Sequence, residues 1–179
     1  NPAPARAHHA IEHWENFHPS DIARLARADI IASVQPRHIT LDPGGPERDL
    51  GPERVPYMWP FRTLLDSGAT LAFGTDSPVT DIDPIDAVYT AVTRRDADTH
   101  EPLGGWLPEE RITLAEALRA YTAGSAAAAQ RADELGQLAP GMFADITVLS
   151  PNPFKLAPDD LQQAKVQATY VAGKKAYER

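Results

Sequence analysis

Cysteine is absent from this chain of 179 residues, which excludes disulfides, thiolate metal sites and cysteine nucleophiles. No apolar run approaches the ~20 residues that a membrane helix needs. Positive charge is in deficit: 17 Lys and Arg stand against 25 Asp and Glu, a formal charge of −8. Phosphate or anionic-membrane binding needs the opposite balance, so no nucleic acid and no membrane is expected as a partner. Catalytic signatures are missing too. There is no Gly-x-Ser-x-Gly elbow, no Gly-x-x-x-x-Gly-Lys-Ser/Thr loop, no dinucleotide fingerprint, no His-x-His pair and no His-Glu-x-x-His. The start, Asn1-Pro2-Ala3-Pro4, shows neither Met nor a charged-then-apolar leader.

Hydrophobic residues make up 42% of the chain, enough to bury a core. The length fits one ordinary domain or a piece of a larger one. Residues 7–13 predict a short strand ending in a histidine. Ser20 or a neighbour is placed to cap a helix running to about Ala28, with Ile22, Leu25 and Ala26 on one face. Ile30-Ile31-Ala32-Ser33-Val34 reads as a strand buried on both faces. A helix over 60–67 stops at Gly68, and a strand over 70–74 runs into Thr75-Asp76-Ser77-Pro78. The next helix spans about 84–94, with Ile85, Val88, Tyr89 and Val92 inward. This alternation predicts βα units on a parallel sheet.

Thr113 and Glu116 have capping-box spacing. The helix they open buries Leu114, Ala117, Leu118 and Tyr121, and Gly124 breaks or kinks it. From residue 133 the pattern turns to β: a strand at 146–149, then a hairpin turning near Gly173. Two long connections, 37–59 and 95–112, show no period. Loops of that length are functional or mobile excursions, and the first follows a strand, where a βα barrel keeps its active site.

His13 ends a strand candidate and Asp76 stands where a second strand emerges. A buried carboxylate needs a partner or a metal, although Asp-Ser-Pro is also turn chemistry. Likewise His13 reads either as a metal ligand or as a hydrogen-bonded core histidine. His8 and His9 point to opposite faces of a strand and cannot both join it. A divalent metal with a carboxylate beside its water makes a hydrolytic pair, but two ligands are fewer than a catalytic zinc takes. Asp81, Asp83 and Asp86 read as a solvated helix start, and Arg94 and Arg95 as charges favourable at that helix's end. Trp14, Trp59 and Trp106 lie in or beside loops, lining a pocket or packing the loops themselves.

Five segments resemble one known group. They are Ile-Glu-His at 11–13, Ser-Val-Gln-Pro-Arg-His at 33–38, Phe-Gly-Thr-Asp-Ser-Pro-Val at 73–79, Ala-Val-Thr-Arg-Arg at 91–95 and Ala-Leu-Arg-Ala-Tyr-Thr at 117–122. The tail over 135–149 agrees with them. Together they resemble the metal-dependent amidohydrolase superfamily, in particular the amidohydrolase-3 branch that includes N-substituted formamide deformylase-like enzymes. The resemblance implies an α/β fold: the C-terminal part of a (β/α)8 TIM barrel, about strands 6–8 with their helices, over 1–132. Strands of a small composite β-sandwich domain follow over 133–179. By position His13 resembles the strand-six metal ligand, and Asp76 the strand-eight aspartate that contacts metal and shuttles the proton. Gln35 and His38 would lie near the substrate. The implied cofactor is a divalent metal, zinc, in one or two ions.

The implied reaction is hydrolysis of a non-peptide C–N bond in a small-molecule amide, in a cytoplasmic setting. A non-catalytic assembly module, or a deaminase of heterocycles on the same fold, is the alternative. The family's other ligands have no counterpart in this sequence. The expectation is therefore a C-terminal portion, inactive alone, whose partner is the missing N-terminal part of the barrel or a homo-oligomer.

Overall fold

A computed structural model describes residues 9–179. Residues 1–4 and His8 of the sequence reading lie outside the described residues. The architecture is α/β. Strands β1 (His9–Glu12), β2 (Ile30–Val34) and β3 (Leu71–Phe73) form a parallel sheet in that order. His9 pairs with Ile30, Ala32 with Leu71 and Val34 with Phe73. The central β2 buries Ile31, Ala32 and Val34, and all of β3 is buried. β1 exposes all four of its side chains. A β-branched apolar run suits a strand covered on both faces, whereas His-Ala-Ile-Glu tolerates an edge.

Helix α1 (Pro19–Arg27) crosses from β1 to β2 and buries Ile22 and Leu25. Its cap is His18, not Ser20: the His18 Nδ1 accepts from the Ser20 N–H. Pro19 fills the first turn, where a missing N–H leaves nothing unpaired. The 37–59 segment is more ordered than its lack of period suggests. It holds a 3-10 turn Pro36–Thr40, helix α2 (Gly45–Leu50) and a second 3-10 turn Val55–Tyr57, each with proline in its first turn. Pieces this short complete fewer than two turns, so no 3.6-residue period can emerge. Helix α3 (Phe61–Asp66) buries Phe61 and Leu64, and Gly68 at φ +84° marks its stop.

Helix α4 (Pro84–Thr93) is capped by Asp83, whose carboxylate accepts from the Ile85 N–H at 2.9 Å. Ile85, Val88 and Tyr89 are buried. At its far end Arg94 does more than complement the helix dipole. It is fully buried, and its Nε donates to Trp106 O and its Nη1 to Trp59 O, each at 3.0 Å. The guanidinium lies 5.3 Å from the Phe61 ring centre and 5.5 Å from that of Trp106. Burial lowers its pKa to about 10, against the pull of Glu110 and Glu109. One side chain thus ties both long connections to α4.

Helix α5 (Leu114–Arg119) opens with the Thr113–Glu116 capping box. Ala117 is buried, with Leu114, Leu118 and Tyr121 half-buried beside it. Gly124 does not break the helix. The chain passes through a π-helical turn, Ala120–Gly124, into α6 (Ser125–Ala128). A Cβ on Gly124 would sit 2.0 Å from Leu71 O, so the glycine lets the helix close directly onto β3. The Ser125 hydroxyl then donates to Phe73 O at 2.8 Å.

A second, antiparallel sheet follows in the order β4 (Ile146–Ser150), β5 (Lys165–Val171), β6 (Lys174–Glu178). Its hairpin turns at Ala172 and Gly173, both at positive φ. Between β4 and β5, the segment Pro158–Gln163 packs back on α4. Leu161 is buried with Tyr89 and Ala97, and Gln162 Nε2 donates to Asp86 Oδ1 at 2.7 Å. Packing therefore runs across the 132/133 division. Among the described residues no helix is long and apolar enough to cross a membrane.

Candidate metal centre

The strands of a parallel sheet all end on one side, so side chains just past their C-termini meet. Here that edge carries His13 after β1, Gln35 after β2 and Asp76 shortly after β3. His13 and Asp76 adopt the left-handed region at φ 54° and 57°, which His and Asp enter more readily than most residues. The His13 N–H donates to Ser33 O at 2.9 Å and so stays tied to β2. At Asp76 the main chain serves the turn, its carbonyl accepting from the Val79 N–H at 2.8 Å. The carboxylate faces imidazoles instead of the turn.

The four residues singled out in the sequence lie together. His13 Nδ1 lies 3.0 Å from Gln35 Oε1 and 3.9 Å from Asp76 Oδ2. His38, on the Pro36–Thr40 turn, places Nε2 3.6 Å from the same Asp76 oxygen. The His13 and His38 rings stack at 5.8 Å with 13° between their planes. Donor atoms of His13, His38 and Asp76 all lie within 4.8 Å of one another. A cleft of about 460 Å³ opens beside them, lined by His13, Gln35, Phe73, Asp76 and Ser125.

The donor chemistry fits a divalent ion: two imidazoles and a carboxylate are the ordinary ligand types of zinc and its neighbours. His38 Nε2 adds an independent sign. It is buried and has no hydrogen-bond partner, an arrangement that costs free energy unless something binds there.

The other described histidines stand apart. His9 is exposed on β1, His18 caps α1, and His100 Nε2 lies against Gln162 Oε1 at 3.1 Å. Trp14 stacks on Phe17 at 4.4 Å between ring centres. Trp59 and Trp106 meet edge to face and line separate cavities of about 330 and 440 Å³.

Sequence reasoning did not single out Glu15, whose Oε1 lies 2.9 Å from His38 Nδ1. It lies in an irregular stretch after β1 with no periodic signal, and its partner is 23 residues away. Only the pairing of this stretch with 57–59 places it. Asn16 bridges Met58, and the Trp59 N–H donates to Glu15 O at 2.8 Å.

Known proteins share this arrangement of sequence and fold. The model of the amidohydrolase family matches residues 1–177. Protein LONG AFTER FAR-RED 3 of Arabidopsis thaliana is 40% identical over 168 residues, which is 93% of this chain and 28% of that protein. The N-substituted formamide deformylase of Arthrobacter pascens is 35% identical over 122 residues, 68% of this chain and 22% of the enzyme. The crystal structure of an uncharacterized metal-dependent hydrolase from Pyrococcus horikoshii OT3 superposes with a TM-score of 0.66 at 33% identity, covering 74% of this chain and 26% of that one. The chain spans less than a third of the length of each of these proteins. With nearly its full length matched, the chain belongs to the metal-dependent amidohydrolase superfamily, in its amidohydrolase-3 branch.

Proposed function

We propose that this chain supplies the metal-facing end of a hydrolase that cleaves non-peptide C–N bonds, an amide being the substrate class. The observation that carries the reading is the convergence of His13, His38 and Asp76 at the C-terminal edge of one parallel sheet. The name of the Arthrobacter pascens relative supports the bond type. On this reading residues 1–132 form about strands 6–8 of a (β/α)8 barrel with their helices, and residues 133–179 part of a small composite β-sandwich domain. The remaining strands come from an N-terminal part of the barrel, or from assembly with further copies. The setting is cytoplasmic, on the resemblance alone.

His13 and Asp76 would hold the ion, zinc by the nitrogen-and-oxygen donor set. Such an ion, when bound, brings the pKa of its water to about 7 and so supplies hydroxide at neutral pH. Asp76 takes the proton of the attacking water and returns it to the nitrogen of the leaving amine as the C–N bond breaks. Gln35 Oε1 accepts from His13 Nδ1, which leaves Nε2 as the nitrogen of that ring for the ion and the Gln35 amide N–H groups to donate to a substrate carbonyl. His38 borders the same centre. Exclusion of water falls to the loops that follow the strands.

Two measurements test this. Metal analysis of the dialysed chain should find zinc or a similar divalent ion retained, and a metal-free protein would overturn the assignment of ligands. Amine release from a panel of amides by the 179 residues alone, with zinc supplied, should stay at background. Sustained turnover would refute the proposed need for further strands.

A further inference from the structure

We propose that Glu15 is a positioning residue that makes His38 a third donor of the metal centre, an inference that rests on reading His13 and Asp76 as ligands.

The argument begins with the two nitrogens of His38. Nδ1 lies 2.9 Å from Glu15 Oε1. An ionised carboxylate only accepts, so Nδ1 carries the hydrogen. In the neutral ring the lone pair then sits on Nε2. That atom is buried, has no hydrogen-bond partner, and faces Asp76 Oδ2 at 3.6 Å. A nitrogen lone pair directed at a carboxylate oxygen sets acceptor against acceptor. At 3.6 Å the two make no hydrogen bond, and a cation between them turns the repulsion into attraction.

His38 also stands back from one cleft at this edge. It is not among the residues lining the cleft beside His13, Gln35 and Asp76. Its side chain is 8% exposed, against 51% for His13. It lines instead the cavity that holds Glu15, Met58 and Trp59.

Both partners are fixed by main chain. The Trp59 N–H donates to Glu15 O, Phe17 N–H to Tyr57 O, and His38 N–H to Gln35 O within its turn. Main-chain bonds therefore hold the two segments that carry the carboxylate and the ring. Such carboxylate–histidine pairs hold the tautomer and aim of metal-binding imidazoles.

The test compares wild type, Glu15→Gln and Glu15→Leu in the whole chain. Long-range proton–nitrogen spectra of the metal-free proteins, taken where the ring nitrogen signals themselves show a neutral imidazole, report the tautomer of His38. Zinc titration calorimetry reports affinity. Wild type and Glu15→Gln should both show hydrogen on Nδ1, since the glutamine oxygen still accepts. Glu15→Leu should lose that tautomer and bind zinc about 10- to 100-fold more weakly.

Equal zinc affinity in wild type and Glu15→Leu, or a tautomer indifferent to Glu15, overturns the proposal while leaving His13 and Asp76 as ligands. A wild-type His38 with its hydrogen on Nε2 overturns it without recourse to a variant. No zinc binding by wild type, despite hydrogen on Nδ1, overturns the metal reading and the third donor with it.

Discussion

His13 and Asp76 leave different strands of one sheet and bring Nδ1 and Oδ2 to 3.9 Å. Both do so from left-handed backbone, at φ 54° and 57°. Left-handed backbone takes both residues out of the strand pleat.

The first prediction concerns Asp76→Asn. Asparagine enters the left-handed region as readily as aspartate, so the thermal midpoint should stay near that of wild type. The base that takes the proton is gone. In the assembled enzyme kcat should fall about 10²- to 10⁴-fold, measured by steady-state release of amine. Turnover within a few-fold of wild type would mean that another group shuttles the proton.

Arg94→Met tests the buried guanidinium. Methionine fills similar space but donates to neither Trp59 O nor Trp106 O; Trp59 O keeps the Phe61 N–H at 2.8 Å, so the loss falls on Trp106 O, and a buried carbonyl left unpaired costs about 1–3 kcal/mol. Relief from burying a charge offsets part of that. A net loss of about 1–2 kcal/mol is expected, read from the urea midpoint. Because Trp59 also carries the N–H that fixes Glu15, the Glu15–His38 pair should loosen as well.

Gly124→Ala adds one carbon where Leu71 O stands 2.0 Å away. The neighbour is strand backbone, not a flexible side chain, so helix or strand must shift. Overpacking of this kind costs about 1–3 kcal/mol. For a chain of this size that lowers the thermal midpoint by about 2–4 °C per kcal/mol. An unchanged midpoint would show that the helix does not sit this close to β3.

Glu116→Gln addresses acid stability. Burial works to raise the Glu116 carboxyl, but the Thr113 N–H and hydroxyl and the Arg62 guanidinium outweigh it and hold the pKa below its ordinary 4.5. A lowered carboxylate pKa stabilises the fold above the unfolded value, and that contribution fades as pH falls through the folded value. Wild type should exceed Glu116→Gln in stability by most near neutral pH, and the gap should close below about pH 4.5. A gap that does not change with pH would mean that the carboxylate charge is not what stabilises the helix start.

The sequence by itself determined the alternation of strand and helix, because each buried strand needs an unbroken apolar run and each helix an apolar stripe. It also determined the Thr113–Glu116 cap, the Gly68 stop and the hairpin at Gly173, whose signals are local. It singled out His13 and Asp76 by their positions at strand ends, while Gln35 and His38 came from the resemblance to a known family. Only the tertiary structure decided that these four share one edge, since convergence depends on strand order and register, which no short motif encodes. The same holds for Glu15, for Arg94 as a buried tie between two loops, and for Gly124 as a point of close approach. Each owes its role to a partner distant in the chain, and the physics of that contact begins only once the sheet has formed.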